Sequence, residues 1–123
     1  MKALLSKQVG GPETLVLEEV ADPVAGPGQI LVSVKACSVN YPDVLMIEDK
    51  YQVKPPRPFS PGSEVSGIVE AVGEGVTQFK VGDRVLGAAN GGMAEKVVLN
   101  ATTAYPLPDE RSFAEGTALI LTY

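Results

Sequence analysis

The sequence predicts a mainly β fold: a partly open barrel interrupted by a few short helices. Three observations predict it. Short stretches of alternating apolar and polar residues recur along the 123-residue chain. Gly and Pro, 13 and 10 of them, punctuate those stretches as turns, and many short strands between such turns tend to close on themselves. Only two stretches carry helix-start chemistry.

Taken in order, 14–20 (TLVLEEV) is a strand candidate. The turn 25–29 (AGPGQ) leads into 30–39 (ILVSVKACSV), where Ile30, Val32, Val34 and Ala36 share one face and Leu31, Ser33 and Lys35 the other. A helix is predicted near 42–49, because Pro42 and Asp43 both favour a helix N-terminus. The run 64–72 (EVSGIVEAV) alternates again. The glycine inside it, Gly67, signals a bulge or a close backbone approach. Turns around a brief extended piece fill 73–83, and 82–89 and 93–100 are further strands. The segment 104–110 (AYPLPDE), with two prolines, is predicted to be an exit loop. A second helix over 113–122 opens on Ser112 and Glu115 at capping-box spacing. It continues through Leu119, Ile120 and Leu121 with no stop signal. So apolar a helix end expects a covering surface, whether a following segment, a second copy in a homo-dimer, or the barrel itself.

Composition removes whole classes of function. Ten basic against fifteen acidic residues leave a net charge of −5 with no basic cluster, which excludes a nucleic-acid partner. No apolar run approaches the roughly 20 residues of a membrane-spanning helix, so no membrane partner is expected. The N-terminal residues lack the apolar core of a signal peptide. A single cysteine, Cys37, allows no internal disulfide, which suits a reducing, cytoplasmic setting. The chain has no histidine. Ser-His and Cys-His nucleophiles and His-based metal sites are therefore out, and zinc is not expected.

The remaining motifs have two readings each. The stretch 62–67 (GSEVSG) lacks the Lys of a phosphate-cradling loop, and no G-x-G-x-x-G fingerprint lies between a strand and a helix. Glu64 reads as a buried acid with a raised pKa, or as a side chain paired with an Arg or with backbone amides. Asp83 and Arg84 read as a turn with a local ion pair, and Cys37 as a small buried apolar residue. Asn40 and Asp43, between a strand end and a helix start, form a candidate site with Tyr41 and Tyr51. Alternatively, Asn40 caps the helix and Asp43 serves its dipole.

Read together, GPETLVLEEV, GPGQILVSVKACSVNYPD, PFSPGSEVSGIVEAVGEGV, VGDRV and GGMAEKVV run in the order found in one family. The chain resembles the medium-chain dehydrogenase/reductase superfamily, in its zinc-free quinone oxidoreductase branch, to which zeta-crystallin belongs. The resemblance implies a GroES-like catalytic domain over 1–123, with 112–123 beginning the helix that connects to a Rossmann cofactor domain absent from this chain. It implies that Ser63 stands where zinc-dependent relatives have a metal-binding His, and Asn40 where they have a Cys. It implies NADPH as the cofactor of the whole enzyme, weakly held by this chain alone, and a quinone or enone as substrate. By the same resemblance Asn40, Asp43 and Tyr51 form the catalytic set, Tyr41 and Tyr51 flank the substrate, and Asn40, Ser63 and Thr122 contact the cofactor. The competing expectation is a stand-alone GroES-like module that binds without catalysing.

Overall fold

The computed structural model describes the backbone from Met1 to Thr122 apart from Val53, and side chains as far as Ala118. Among the described residues seven strands, all paired antiparallel, and two α-helices form. They are β1 (Lys2–Leu5), β2 (Val16–Glu19), β3 (Gln29–Cys37), α1 (Tyr41–Ile47), β4 (Glu64–Val72), β5 (Arg84–Ala88), β6 (Lys96–Asn100), β7 (Ala104–Pro106) and α2 (Phe113–Thr122).

The main sheet runs in the order β6-β3-β4-β5-β7, and β1 and β2 form a separate pair. The two outermost strands, β6 and β7, are joined only by the short turn Ala101–Thr103. A flat sheet could not be closed by so short a link, so the sheet curls until its ends approach, and the result is the expected partly open barrel. Its core is β-branched and aliphatic: Ile30, Val32, Val65 and Val85 are fully buried, with Val69, Val97 and Leu99 beside them. Among the described residues no helix is long and apolar enough to cross a membrane.

Gly67 fulfils both of its expectations. A Cβ there would lie 2.0 Å from the Ser33 carbonyl oxygen, so only glycine lets β3 and β4 cross so closely. The β3–β4 register slips between Val34 and Ala36, leaving Lys35 unpaired, and slips the opposite way between Leu31 and Val32, leaving Glu70 unpaired. The two bulges cancel, so the strand ends return to a common register while the middle is bent. Ser66, beside Gly67, is small for a second reason. Ser66 is buried on the outer face of β4 and its Oγ donates to the Phe113 carbonyl of α2. Strand β4 is covered on both sides.

Several expectations change at element boundaries. Strand β1 carries no strong alternation and is formed by pairing Lys2–Leu5 with Val16–Glu19. Residues Pro12–Thr14 make a 3-10 turn, so β2 starts at Val16. The predicted exit loop begins with a true strand, β7, which pairs with β5. Pro106 is harmless there because an edge strand needs no donor on its outer side. Helix α1 begins and ends slightly earlier than predicted. Its last carbonyls, Met46 and Ile47, accept from Arg57 Nη2 at 3.3 and 2.9 Å. Helix α2 starts as predicted, with both arms of the capping box: Ser112 N–H to Glu115 Oε1 at 2.9 Å and Glu115 N–H to Ser112 Oγ at 3.1 Å. Leu119, Ile120 and Leu121, on which the expectation of an uncovered apolar end rests, have side chains outside the described residues.

Candidate functional site

The end of β3, the start of α1 and the turn before β4 converge. The chain leaves β3 at Cys37, stays extended through Ser38 to Asn40, and enters α1 at Tyr41. Asn40 occupies the N-cap position, with Asp43 at N3 in a capping box. Asp43 is 2% exposed. Its Oδ2 accepts from Asn40 N–H at 2.9 Å and its Oδ1 accepts from Gly62 N–H at 3.2 Å. One buried carboxylate thus ties the helix start to the turn that carries Ser63.

Gly62 is fixed by its surroundings. Its φ is +103°, and a Cβ there would come within 2.7 Å of Cys37 Sγ and 2.9 Å of Met93 N. Both the backbone conformation and the space require glycine.

Glu64 opens β4 and is 3% exposed. It pairs with neither an Arg nor backbone amides, as the sequence suggested it would. Its Oε1 instead accepts from Ser38 Oγ at 2.5 Å and from Asn40 Nδ2, and Asn40 Nδ2 also donates to Ser38 Oγ at 3.0 Å. These three side chains form a closed triangle. The other carboxylate oxygen, Oε2, is buried and, among the described residues, without a hydrogen-bond partner. Ser38 was not singled out from the sequence. The available signal was its two-residue spacing from Asn40, which puts both side chains on one side of an extended segment.

Cys37 is half-buried and packs against the core. Burial first, and then the Asp43 and Glu64 carboxylates, push its thiol up to about 11. It stays protonated near neutral pH, which fits the expected packing role and excludes a thiolate nucleophile. Asp83 and Arg84 do not pair with each other, contrary to expectation. Asp83 pairs with Lys80 at 3.2 Å. The Arg84 guanidinium donates to the Pro108 and Arg111 carbonyls at 2.7 and 2.6 Å and lies 4.5 Å from the centre of the Phe113 ring. It clamps the entry to α2.

The structure therefore brings together Asn40, Asp43, Ser63 and Glu64, and adds Ser38. Ser63 is half-buried, its carbonyl accepting from Ala89 N–H at 2.8 Å. Tyr41 stands on the first turn of α1, 73% exposed. Tyr51 is half-buried on a bend beyond α1, and among the described residues no hydrogen bond ties its hydroxyl to the cluster. The Thr122 side chain lies outside the described residues. A cavity of about 450 Å³ runs between the β1–β2 pair and the main sheet. Of the predicted residues whose side chains are described, only Asp43 and Ser63 line it, so the cluster, rather than this cavity, is the candidate site. Among the described residues no three His, Cys, Asp or Glu side chains converge as a metal ion would need.

Comparison with known proteins agrees with the fold. Residues 26–109 match the alcohol dehydrogenase GroES-like domain. The chain is 41% identical over its whole length to a quinone oxidoreductase of Rattus norvegicus, of which it spans 38%. Its fold superposes with a TM-score of 0.93 on a probable oxidoreductase from Mycobacterium abscessus, 42% identical, covering all of this chain and 39% of that one. It superposes with a TM-score of 0.84 on the quinone oxidoreductase of Thermus thermophilus, 33% identical, covering all of this chain and 38% of that one. The Thermus enzyme has also been solved in complex with NADPH. Strand order, motif order and matched residues converge, and the chain belongs to the alcohol dehydrogenase GroES-like domain family.

Proposed function

We propose that this chain is the GroES-like catalytic domain, over 1–123, of an NADPH-dependent reductase of quinones or enones that works without zinc. The observation that carries the reading is the cluster of Ser38, Asn40 and Glu64 with Asp43 tied to Gly62. It stands where the resemblance places metal and cofactor contacts, and it is built from hydroxyl, amide and carboxylate groups. Zinc prefers thiolate and imidazole. Asn40 and Ser63 offer neither, so the donors present do not fit that metal and no step is assigned to it. A quinone or enone, with its electron-poor carbons, accepts hydride without a Lewis acid.

The residues do fit one end of a nicotinamide cofactor. Asn40 and Ser63 are partly exposed polar residues, Asn40 held through its side chain and Ser63 through its backbone carbonyl. When bound, NADPH supplies the hydride. This chain's part is to orient and to enclose. Asn40 and Ser63, with Thr122, face the nicotinamide. Tyr41 and Tyr51 flank the substrate ring and keep water from it. Asp43 holds Asn40 and Ser63 at a fixed spacing.

The chain holds the rest of the cofactor poorly. Pyrophosphate is bound by free N–H groups at a helix N-terminus. Here both helix starts are already capped by carboxylates, α1 by Asp43 and α2 by Glu115. The proposed arrangement therefore needs a second domain for affinity, in line with the 38% share of the rat relative that this chain spans.

The test is to assay the intact gene product against a panel of quinones and enones with NADPH and with NADH, and to titrate the 123-residue chain with NADPH. Reduction by the former, preferring NADPH, and no measurable binding by the latter are expected. Micromolar binding by the chain alone would favour a self-contained binding module. No turnover of any quinone or enone would refute the reading.

A further inference from the structure

An asparagine amide can offer a ligand either a donor or an acceptor until its neighbours choose. At Asn40 they have chosen. Glu64 Oε1 is an acceptor that already receives the Ser38 hydroxyl, so the Asn40 atom beside it is the donor Nδ2. The second Nδ2 proton goes to Ser38 Oγ. Both donors are turned into the protein. Oδ1, the remaining polar atom of the side chain, faces the Asp43 N–H in the capping box and keeps a second lone pair for a ligand. It belongs to a half-buried residue flanked by Val39 and Tyr41, which are 70% and 73% exposed.

We propose that Glu64, assisted by Ser38, is a positioning residue that locks Asn40 as a one-way hydrogen-bond acceptor, so that the site reads an N–H or O–H donor on its ligand. It follows that Asn40 does not grip a carbonyl or stabilise charge developing on a quinone oxygen. Resting on the proposed function for the identity of the ligand, the donor is the nicotinamide carboxamide N–H or a hydroxyl of the cofactor ribose or the reduced ring.

The unpartnered Oε2 makes the lock reversible by a near-isosteric change. In Glu64→Gln, keeping the oxygen inward would leave Nε2 where Oε2 is now, buried with no acceptor. Turning Nε2 inward avoids that, because an unpaired buried donor is costly. Nε2 then donates to Ser38 and to Asn40, and the Asn40 amide inverts, giving up its capping-box bond from the Asp43 N–H. The substitution thus converts an acceptor site into a donor site, at the expense of one arm of the α1 capping box.

Selective ¹⁵N labelling of asparagine in the intact gene product reads the lock directly, with no cofactor present. This chain has three asparagines, and Asn90 and Asn100 are exposed. The Asn40 side-chain protons, identified by their loss in Asn40→Leu, are expected to exchange roughly tenfold or more slowly than the other two pairs. They should become fast in Glu64→Gln and intermediate in Ser38→Ala. Fast exchange in the wild type, or no change in Glu64→Gln, overturns the lock.

The ligand is read by fluorescence titration with NADPH and with its reduced 3-acetylpyridine analogue, which keeps the carbonyl but lacks the N–H. An analogue about tenfold weaker in the wild type, with the gap closed in Glu64→Gln, places the donor on the carboxamide. Equal affinities together with a loss in Asn40→Leu place it on a hydroxyl. Equal affinities and no loss in Asn40→Leu overturn the acceptor role. Absence of NADPH binding by the wild type sinks the proposed function and the identity of the ligand together, while the exchange rates still decide the lock.

Discussion

Asp43→Asn is the most informative single change in the chain, because it separates a helix cap from a site organiser. The carboxylate accepts two backbone N–H groups, from Asn40 and Gly62, at 2.9 and 3.2 Å, and is 2% exposed. An asparagine has one acceptor. If its oxygen keeps the shorter bond to Asn40, its NH₂ faces the Gly62 N–H, donor against donor. The lost charge-assisted bond is worth about 1.5–3 kcal/mol, and the unpaired buried donors add about 1–3 kcal/mol. The expected destabilisation is therefore about 3–5 kcal/mol. Loss of a helix cap alone costs typically about 1 kcal/mol. Urea unfolding of the 123-residue chain, followed by circular dichroism, measures the difference. With a slope of about 1.5 kcal/mol per molar, the midpoint should fall by about 2 M or more at an unchanged slope. A fall of less than about 0.7 M would mean that the Gly62 tie carries nothing and that Asp43 serves α1 only.

Gly67→Ala forces a Cβ onto the Ser33 carbonyl oxygen and should cost about 3 kcal/mol or more; a mutant melting within a few degrees of the wild type would contradict the close crossing. The Cys37 thiol should be slow to alkylate at pH 8 and speed up toward pH 11, since its folded value is raised from 9.0 to about 11. Because that value is raised, Cys37 contributes stability that is complete below pH 9.0 and is lost as pH rises toward 11. A Cys37→Ser chain should lack that loss, and identical alkaline stability profiles would refute the assignment. In the intact gene product Tyr51→Ala should lower kcat/KM for quinones about tenfold with little change in NADPH affinity, and Asn40→Ala should lower both. Steady-state kinetics beside cofactor titration decide this, and unchanged turnover of several quinones would remove Tyr51 from the substrate wall.

Strands β3 and β4 were legible because their alternation is long and their inward residues are β-branched, a signal tied directly to pleat geometry. Gly67 was legible because a residue without a side chain, set inside such a run, weakens the strand unless another backbone presses close to it. Strands β1 and β7 were not. The first exists because Val16–Glu19 lies alongside it, and the second because β5 offers an edge; pairing partners distant in sequence leave no local mark. At the site, Asn40 and Asp43 could be found from the strand-to-helix boundary. Their use could not, since the Asp43 bond to Gly62 and the Glu64 bonds to Ser38 and Asn40 span 19 to 26 residues. The Asp83–Arg84 adjacency misled for the opposite reason. Neighbours in sequence on a turn point apart, and Arg84 found its partners at the entry to α2 instead: the Pro108 and Arg111 carbonyls, Asp109 and the Phe113 ring.

The three-residue link between β6 and β7 also bears on how the protein keeps to itself. Every open sheet exposes two rows of unpaired backbone groups, and a stray strand from another molecule can add to either. Here those two rows belong to strands tethered end to end by Ala101–Thr103, so each border of the sheet is drawn toward the other rather than left facing outward. One border is also only three residues long and finishes on Pro106, which has no N–H to give. A strand arriving from outside would have to spread the curl before it could pair. The same short turn that shapes the barrel therefore guards both of its seams against aggregation.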